Sequence, residues 1–316
     1  MTGNRRIVIH LGLQKTATRF MQKYVFTPTR EQGVIYNPEP MMSALHALYR
    51  SPDSPDLLRE AQSEIAHTLQ MATDATLLIS KPDLLGDMYN SYASFRENLD
   101  LLKRLFPEAE LLLFIRHPAD WLHSAYRQSL VKGVGGSIET FLNYYDGAFQ
   151  PKRAHFANGM RNVDALSLPF KAAFDHSVAL YGADSVHLYC FEDFRRDKPA
   201  VLEQIRRLLG LGELVVDDAD RVKNRSFSAL AIHIFCRGGV SRRRPRFSAL
   251  PSPLWVRRWV QRPVRKIRAA LIKHGFDHLI YRDWDLLARG GMREQLEDHY
   301  QADYDALRSE SSKGLR

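Results

Sequence analysis

Four short apolar runs, separated by much longer stretches, constrain the fold of this 316-residue chain most strongly. Each run is too short for a helix of usual length and is typical of a buried strand, because strands of a parallel sheet are apolar on both faces. The stretches between them have helix length, and alternation of strands with helices indicates a parallel sheet. We therefore predict an α/β fold with a central, mostly parallel sheet and helices on both faces. The predicted strands are 6–12, 76–80, 110–115 and 185–191.

Start and stop signals predict three helices, 91–106, 118–131 and 198–209. The first is stopped by Pro107, while the other two carry Pro118 or Pro199 in the first turn, where proline is tolerated. A helical C-terminal extension follows the sheet. Ligands of parallel α/β sheets bind beyond the carboxyl ends of the strands. The loops of interest are therefore those after residues 11, 80, 115 and 191.

The net charge of +9 is concentrated in one segment. Residues 237–268 hold eleven of the 45 Lys and Arg residues and no Asp or Glu, which leaves 45 − 11 = 34 basic against 36 acidic residues elsewhere. Trp255 and Trp259 are interleaved with the arginines, as in a surface helix that faces lipid headgroups or an anionic glycan. The alternative is a solvated helix that covers the fold, with arginine stems over apolar surface. No nucleic-acid recognition module is present, so nucleic acid is not an expected partner.

Composition shifts once along the chain. The stretch 237–254 is rich in Arg, Pro and Ser and has the character of a linker. We place a soft boundary near 235–250. It separates a domain at 1–235 from a basic linker and helical extension at 236–316, which can pack on the same domain.

Cysteine use and hydropathy favour the cytoplasm. Cys190 and Cys236 are too few for a disulfide framework or a zinc site, so buried free thiols are expected. No stretch approaches the ~20 apolar residues of a membrane span, and no apolar leader follows Met1. We expect a cytoplasmic protein whose segment 237–268 can contact an anionic membrane peripherally.

The first loop, GLQKTATRF at 12–20, has the outline of a phosphate-binding loop. Backbone N–H groups at the start of the following helix carry the positive end of its dipole and can surround an oxyanion. The common nucleotide-binding pattern GxxxxGK[ST] is missed, since Lys15 lies three residues after Gly12, so ATP or GTP in the usual pose is disfavoured. The alternative is a plain strand-to-helix turn in which Thr16 or Thr18 caps the helix.

The third loop, RHPADWLHSAYRQ at 116–128, favours the anion interpretation. Arg116 stands where a strand ends, Pro118 starts a helix, and Ser124 follows about 9 Å further along the helix axis. An extended arginine can span that gap, so Arg116 and Ser124 can share one phosphate. Two anion loops predict a ligand with two separated phosphate-type groups.

Together the two loops resemble those of sulfotransferases that use 3′-phosphoadenosine 5′-phosphosulfate (PAPS). The first is similar to the family's 5′-phosphosulfate loop, and the second to its 3′-phosphate motif, including the eight-residue spacing of Arg116 and Ser124. YCFEDFRRDKPAVLEQIRRLLGL (189–211) resembles the family's strand-to-helix segment. RVKNRSFSAL (221–230) resembles the late Asn/Ser-containing loop of its carbohydrate-type and bacterial branches. The resemblance covers about 5–230 and implies a P-loop NTPase-like fold with PAPS as co-substrate.

The resemblance also implies roles for individual residues. The 5′-phosphate and sulfuryl end would be held by Lys15, Thr16, Ala17, Thr18 and Arg19. The 3′-phosphate would be held by Arg116 and Ser124, with Phe191 near the adenine and with Asn224 and Ser226 added from the late loop.

Two positions depart from the family's pattern. The family usually has glycine in place of Ala17 and threonine in place of Arg19. Alanine is tolerated if the backbone is right-handed there, but not if φ is positive. Arg19 either replaces a hydroxyl donor with a charged one or points to solvent.

The implied reaction is sulfuryl transfer to a hydroxyl or amine of a carbohydrate, glycolipid or other small metabolite. By the logic of phosphoryl transfer, the acceptor attacks in line, and charge grows on the bridging oxygen of the leaving nucleotide. Lys15 would neutralise that oxygen. No metal is required by this scheme.

Asp83 is the candidate general base. It lies two residues after Lys81, a spacing that resembles the Lys-x-His catalytic segment of one branch of the family. An aspartate needs burial to become an efficient base near neutral pH. The alternative is that Asp83 caps a helix. His10, within the first strand, is interpreted as a core histidine.

Two other functions remain open from the sequence. One is an ATP-dependent nucleotide or sugar kinase with an atypical P-loop, which would require Mg²⁺. The other is a non-catalytic basic protein that binds membrane surfaces through 237–268.

Overall fold

A computed structural model of the chain describes most of its residues. The described ranges are 6–72, 74–131, 137–152, 162–214, 216, 228–232, 280 and 282–314. Asn224, Ser226 and the basic segment 237–268 lie outside these ranges, so the predictions about them stay predictions.

A parallel sheet of five strands forms the centre of the fold. Its strands are β1 Arg6–His10, β2 Ile35–Tyr36, β3 Thr76–Ser80, β4 Glu110–Ile115 and β7 Val186–Cys190. Their spatial order is β2-β3-β1-β4-β7, and every neighbouring pair is parallel. The predicted α/β fold is confirmed, and β3 and β4 have the predicted bounds. A short strand, β2, was not predicted, because two residues carry no periodic pattern. A separate antiparallel pair is formed by β5 Tyr144–Tyr145 and β6 Ala148–Phe149.

Both faces of the sheet are buried. Successive residues of a strand point to opposite faces. Val8 and Ile9 of β1 are nevertheless both fully buried, as are Leu111 and Leu112 of β4. Burial on both faces is the reason that these strands are continuous apolar runs and do not alternate with polar residues.

Helices lie between the strands along the chain, largely at the predicted positions. The helix predicted at 91–106 begins later, because Ser91 and Tyr92 have positive φ angles of 49° and 54°, which a helix excludes. No described helix is both long and apolar enough to cross a bilayer. The helices are α1 Thr18–Phe20, which runs into a π-helix Met21–Phe26, then α2 Glu39–Arg50, α3 Pro55–Met71, α4 Phe95–Leu105, α5 Pro118–Val131, α6 Ile138–Leu142, α7 Phe170–Tyr181, α8 Phe191–Arg196, α9 Lys198–Leu208 and a C-terminal helix Met292–Gly314.

The chain divides into two compact units, each made of separate chain segments. The first contains the parallel sheet and comprises Met1–Pro118, Leu168–Ala219 and Tyr300–Arg316. The second contains the β5–β6 pair and comprises Ala119–Ser167 and Asp220–His299. The boundary predicted near 235–250 lies outside the described residues, so the division into 1–235 and 236–316 stays a prediction.

Ion pairs organise the second unit. Arg127, whose side chain is almost buried, contacts both carboxylate oxygens of Asp283. Arg293 contacts Asp120, Asp285 and Glu297. Because a buried guanidinium is costly unless paired, the ion pair with Asp283 offsets the cost of burying Arg127.

The start of the first loop is fixed by the packing of His10 against Gly12. The His10 ring is fully buried, and its edge contacts to Phe26 and Phe114 have centroid distances of 5.1 and 5.9 Å. A Cβ built on Gly12 would lie 2.3 Å from His10 Nε2. Glycine is therefore required by the packed imidazole and not by an unusual φ angle.

We expect Gly12→Ala to lower the free energy of unfolding by about 1–3 kcal/mol, because the buried ring cannot move aside. Gly212→Ala is the matched control, since a Cβ there meets no atom within 4 Å. We expect that control to change stability by less than about 0.5 kcal/mol. Urea unfolding measures both, and equal stabilities of the two variants would contradict this packing.

Candidate anion-binding site

The first loop leaves the sheet along β4. The amides of Leu11 and Leu13 donate to the carbonyls of Leu112 and Phe114, each at 3.0 Å. This pairing extends β1 beyond His10 and carries the chain to the same end of the sheet as the loop after β4. Neighbouring parallel strands therefore deliver the two predicted anion loops to one edge.

Both threonine hydroxyls of the loop bind the loop itself. Thr16 Oγ1 and Thr18 Oγ1 each donate to the carbonyl of Leu13. Thr16 is fully buried, and helix α1 has Ala17 at its N-cap position, with no side-chain cap. The threonines therefore do not cap the helix as the alternative interpretation required. Thr16 has only its backbone N–H left to offer an anion.

The backbone of the loop has the φ pattern of an anion-binding nest. Lys15 and Ala17 have left-handed φ angles of 73° and 64°, on either side of Thr16. Alternation of this kind makes an anion-binding nest, in which successive N–H groups turn to one side. Among the residues that the structure describes, none accepts a hydrogen bond from the N–H of Thr16, Ala17 or Thr18. Three backbone donors in the same short loop as Lys15 are thus available to one oxyanion.

Ala17 has the positive φ angle at which we expected alanine not to be tolerated. Its φ of 64° and ψ of 12° are left-handed, a conformation that favours glycine. The Cβ of a non-glycine residue costs roughly 1–2 kcal/mol there. Ala17 also packs against the hydrophobic cluster that includes Phe194 and Tyr189. That contact with the core is what alanine adds and glycine lacks.

Arg19, the second departure, lies on the surface. Its side chain is exposed, and no described residue forms an ion pair or hydrogen bond with it. Its predicted role at the 5′-phosphate stays a prediction.

Arg116 lies over an aromatic ring in the loop after β4. Its guanidinium carbon is 4.8 Å from the ring centroid of Phe191, which opens helix α8 directly after β7. β4 and β7 are parallel neighbours, with Ile115 opposite Cys190, so Arg116 and Phe191 follow paired residues. The structure therefore brings Arg116 and Phe191 together, and Phe191 supports the arginine through a cation–π contact. The predicted place of Phe191 near an adenine stays a prediction.

Ser124 lies on helix α5, where it is partly buried, and belongs to the second compact unit. Its sharing of a phosphate with Arg116 stays a prediction. The predicted contributions of Asn224 and Ser226 stay predictions as well, since both residues lie outside the described ranges.

Asp83 is linked to the first loop through a residue that the sequence analysis missed. Gln14 Nε2 donates to Asp83 Oδ1 at 2.9 Å, and the hydroxyl of Tyr92 donates to Gln14 Oε1. Asp83 lies inside a 3-10 turn, Pro82–Leu85, and makes no cap hydrogen bond there. The position of Gln14 immediately before Lys15 was a signal that could have identified it. No feature of the sequence pointed to Tyr92.

The carboxylate of Asp83 is exposed. The burial that would make an aspartate an efficient base is therefore not present at this residue. Its hydrogen-bond partner Gln14 immediately precedes Lys15 in the first loop.

His10 is a buried core residue, as predicted, but only one of its ring nitrogens is paired. Nδ1 lies 2.7 Å from Ser80 Oγ, and Nε2 has no partner among the described residues. Burial lowers the pKa of His10 to about 3, so the ring is neutral near pH 7. A neutral ring beneath the loop adds no positive charge to the site.

No group of three or more His, Cys, Asp or Glu residues in the described ranges could hold a metal ion. The groups able to bind a cofactor there are the loop amides, Lys15 and Arg116, and all of them suit an anion.

No protein-family model matches the chain, and no curated protein matches it. Solved structures do resemble it. A sulfotransferase from Alicyclobacillus acidocaldarius superposes with a TM-score of 0.46 and 16% identity, over 74% of this chain and 92% of that one.

Two further structures are similar to the chain. The sulfotransferase domain from the Synechococcus PCC 7002 olefin synthase has a TM-score of 0.34 and 17% identity, over 85% of this chain and 95% of that one. The sulfotransferase domain from the curacin biosynthetic pathway has a TM-score of 0.36 and 12% identity, over 90% and 99%.

We expect Ala17→Gly to leave the free energy of unfolding unchanged or raise it by up to about 1 kcal/mol. The left-handed backbone no longer strains a Cβ, which offsets the greater freedom of glycine in the unfolded chain. Ala302→Gly is the control, because Ala302 is exposed within the C-terminal helix and should lose about 1 kcal/mol. If Ala17→Gly loses as much as the control in thermal unfolding, the loop is not left-handed at Ala17.

Proposed function

We propose that this protein is a sulfotransferase that moves the sulfuryl group of PAPS to a hydroxyl or amine of a small acceptor. The observation that carries the proposal is the pair of candidate anion-binding elements at one edge of the sheet. The nest of Thr16–Thr18 follows β1, and Arg116 follows the adjacent strand β4.

The two elements suit a nucleotide with anionic groups at two separated positions. The nest offers directed N–H donors to one group, and Arg116 offers a forked, charged donor to the other. PAPS carries a 5′-phosphosulfate and a 3′-phosphate, one for each element. ATP carries its phosphates in a single chain, and the first loop lacks the GxxxxGK[ST] pattern that holds such a chain.

In the proposed reaction, the acceptor oxygen attacks sulfur in line with the bond to the leaving phosphate. The new oxygen–sulfur bond forms as the bridging sulfur–oxygen bond breaks, and the bridging oxygen takes the electron pair. Lys15 neutralises the charge that grows on that oxygen. A charge placed in this way commonly contributes a few kcal/mol at the transition state.

Asp83 is the proposed acceptor of the proton released by the attacking hydroxyl. The hydrogen bond from Gln14 Nε2 fixes the direction of its carboxylate relative to the loop that carries Lys15. An exposed aspartate is a weak base, so orientation is the larger part of its contribution in this scheme.

The acceptor belongs to the proposal only as a class: a carbohydrate, a glycolipid or another small metabolite with a hydroxyl or amine. Segment 237–268, with eleven basic residues, would bring the enzyme to anionic membranes or to an acidic acceptor. In this proposal the protein works in the cytoplasm and at the membrane surface, without nucleic acid.

The test is transfer of ³⁵S-labelled sulfate from PAPS to cell extracts in the absence of divalent metal. We expect Lys15→Ala to lower the rate at least about 100-fold, because one transition-state charge is lost, while its melting temperature stays near that of the wild type. Lys171→Ala is the matched control. That lysine pairs with Asp175 on the surface of helix α7, in the same compact unit, and its loss should leave the rate unchanged.

Equal transfer by the wild type and Lys15→Ala would contradict the role of Lys15. No transfer from PAPS, with consumption of Mg²⁺-ATP instead, would favour a kinase. Vesicle binding without any transfer would favour a non-catalytic membrane-surface protein.

A further inference from the structure

The loop that carries Arg116 is tied to the C-terminal helix through Glu192. The backbone N–H of His117 donates to Glu192 Oε1 at 3.1 Å. The hydroxyl of Tyr304, on the C-terminal helix, donates to the other oxygen, Oε2, at 2.7 Å. One carboxylate therefore connects the loop after β4 to a residue 112 positions later in the chain than Glu192.

The same two segments meet a second time. The rings of His117 and Tyr304 are in edge-to-face contact, with centroids 4.8 Å apart and an interplanar angle of 77°. Such an aromatic contact has a preferred geometry, so it restricts the orientation of both rings. His117 is therefore fixed at its backbone and at its side chain.

Fixing the N–H of His117 also fixes the backbone of Arg116. The peptide bond between the two residues is planar, so the carbonyl of Arg116 must turn together with the N–H of His117. Phe191, the neighbour of Glu192 in helix α8, lies under the guanidinium of Arg116 at 4.8 Å. Residues 191 and 192 thus support the side chain and the following peptide of the same arginine.

The protonation of Tyr304 suits this arrangement. Burial and the nearby charge of Glu192 raise its pKa well above the ordinary tyrosine range, so the phenol keeps its proton and donates. A hydrogen bond to a charged acceptor is stronger than one between neutral groups.

We propose that Tyr304 and Glu192 are positioning residues that hold Arg116 in the conformation in which it binds the 3′-phosphate of the donor nucleotide. The inference rests on the proposed function, which supplies that phosphate. Through Tyr304, the C-terminal helix would then support the donor site without contacting the nucleotide itself. A small displacement of a binding group is costly, because charge-assisted bonds depend on distance and direction.

The test compares two identical substitutions on one helix. Tyr304→Phe removes the hydroxyl bound to Glu192 and keeps the ring against His117. Tyr300→Phe, one helical turn earlier, removes an equally buried hydroxyl, which accepts a hydrogen bond from the N–H of Leu168. Calorimetric titration with adenosine 3′,5′-bisphosphate and with adenosine 5′-diphosphate separates a loss at the 3′-phosphate from a general loss of binding.

We expect Tyr304→Phe to weaken binding of the 3′,5′-bisphosphate about tenfold, the usual effect of losing one hydrogen bond to a charged group, and to leave binding of the 5′-diphosphate unchanged. Tyr300→Phe should bind both nucleotides as the wild type does. Glu192→Gln should retain most of the affinity, because its amide oxygen still accepts from His117, whereas Glu192→Ala should lose at least as much as Tyr304→Phe.

The inference is overturned if Tyr304→Phe keeps the full preference for the 3′,5′-bisphosphate, or if Tyr300→Phe reduces that preference equally. The first result leaves the proposed function standing. A wild-type protein with no preference between the two nucleotides overturns the proposed function itself, and the positioning role with it.

Discussion

The parallel pairing of β1, β4 and β7 is the constraint on which the candidate site depends. Because neighbouring parallel strands end at the same edge, the loops after His10, Ile115 and Cys190 emerge side by side. Each loop contributes a different element: a backbone nest, an arginine, and the aromatic ring and carboxylate that support that arginine. A shift in the pairing register of any of the three strands would move these elements apart, even with the sequence of each loop unchanged.

At this edge, the candidate anion-binding geometry lies mostly in the backbone. Lys15 and Ala17 have left-handed φ angles on either side of Thr16, while both threonine hydroxyls donate to the carbonyl of Leu13. Strain of this kind is tolerated where surrounding packing determines the conformation, and it concentrates at functional sites. Here, the buried imidazole of His10 packs directly against Gly12, which has no Cβ, and this contact fixes the start of the loop.

The sequence predicted the strands and helices better than the hydrogen bonds that join residues far apart in the chain. Runs such as 76–80 and 110–115 were correct at both ends, because strands buried on both faces are apolar without interruption. The start of α4 was misplaced, because the positive φ angles at Ser91 and Tyr92 leave no periodic signal. The hydrogen bonds of Gln14 with Asp83 and of Glu192 with Tyr304 were not predictable. They join residues 69 and 112 positions apart, and only the folded chain brings them together.

The central claim is that two separate loops at one sheet edge bind the two ends of one nucleotide. A crystal structure with adenosine 3′,5′-bisphosphate tests it most directly. The account predicts the 5′-phosphate within hydrogen-bond distance of the amides of Thr16, Ala17 and Thr18, and the 3′-phosphate within reach of the Arg116 guanidinium. A nucleotide bound with both phosphates on one loop, or bound elsewhere on the protein, would contradict it.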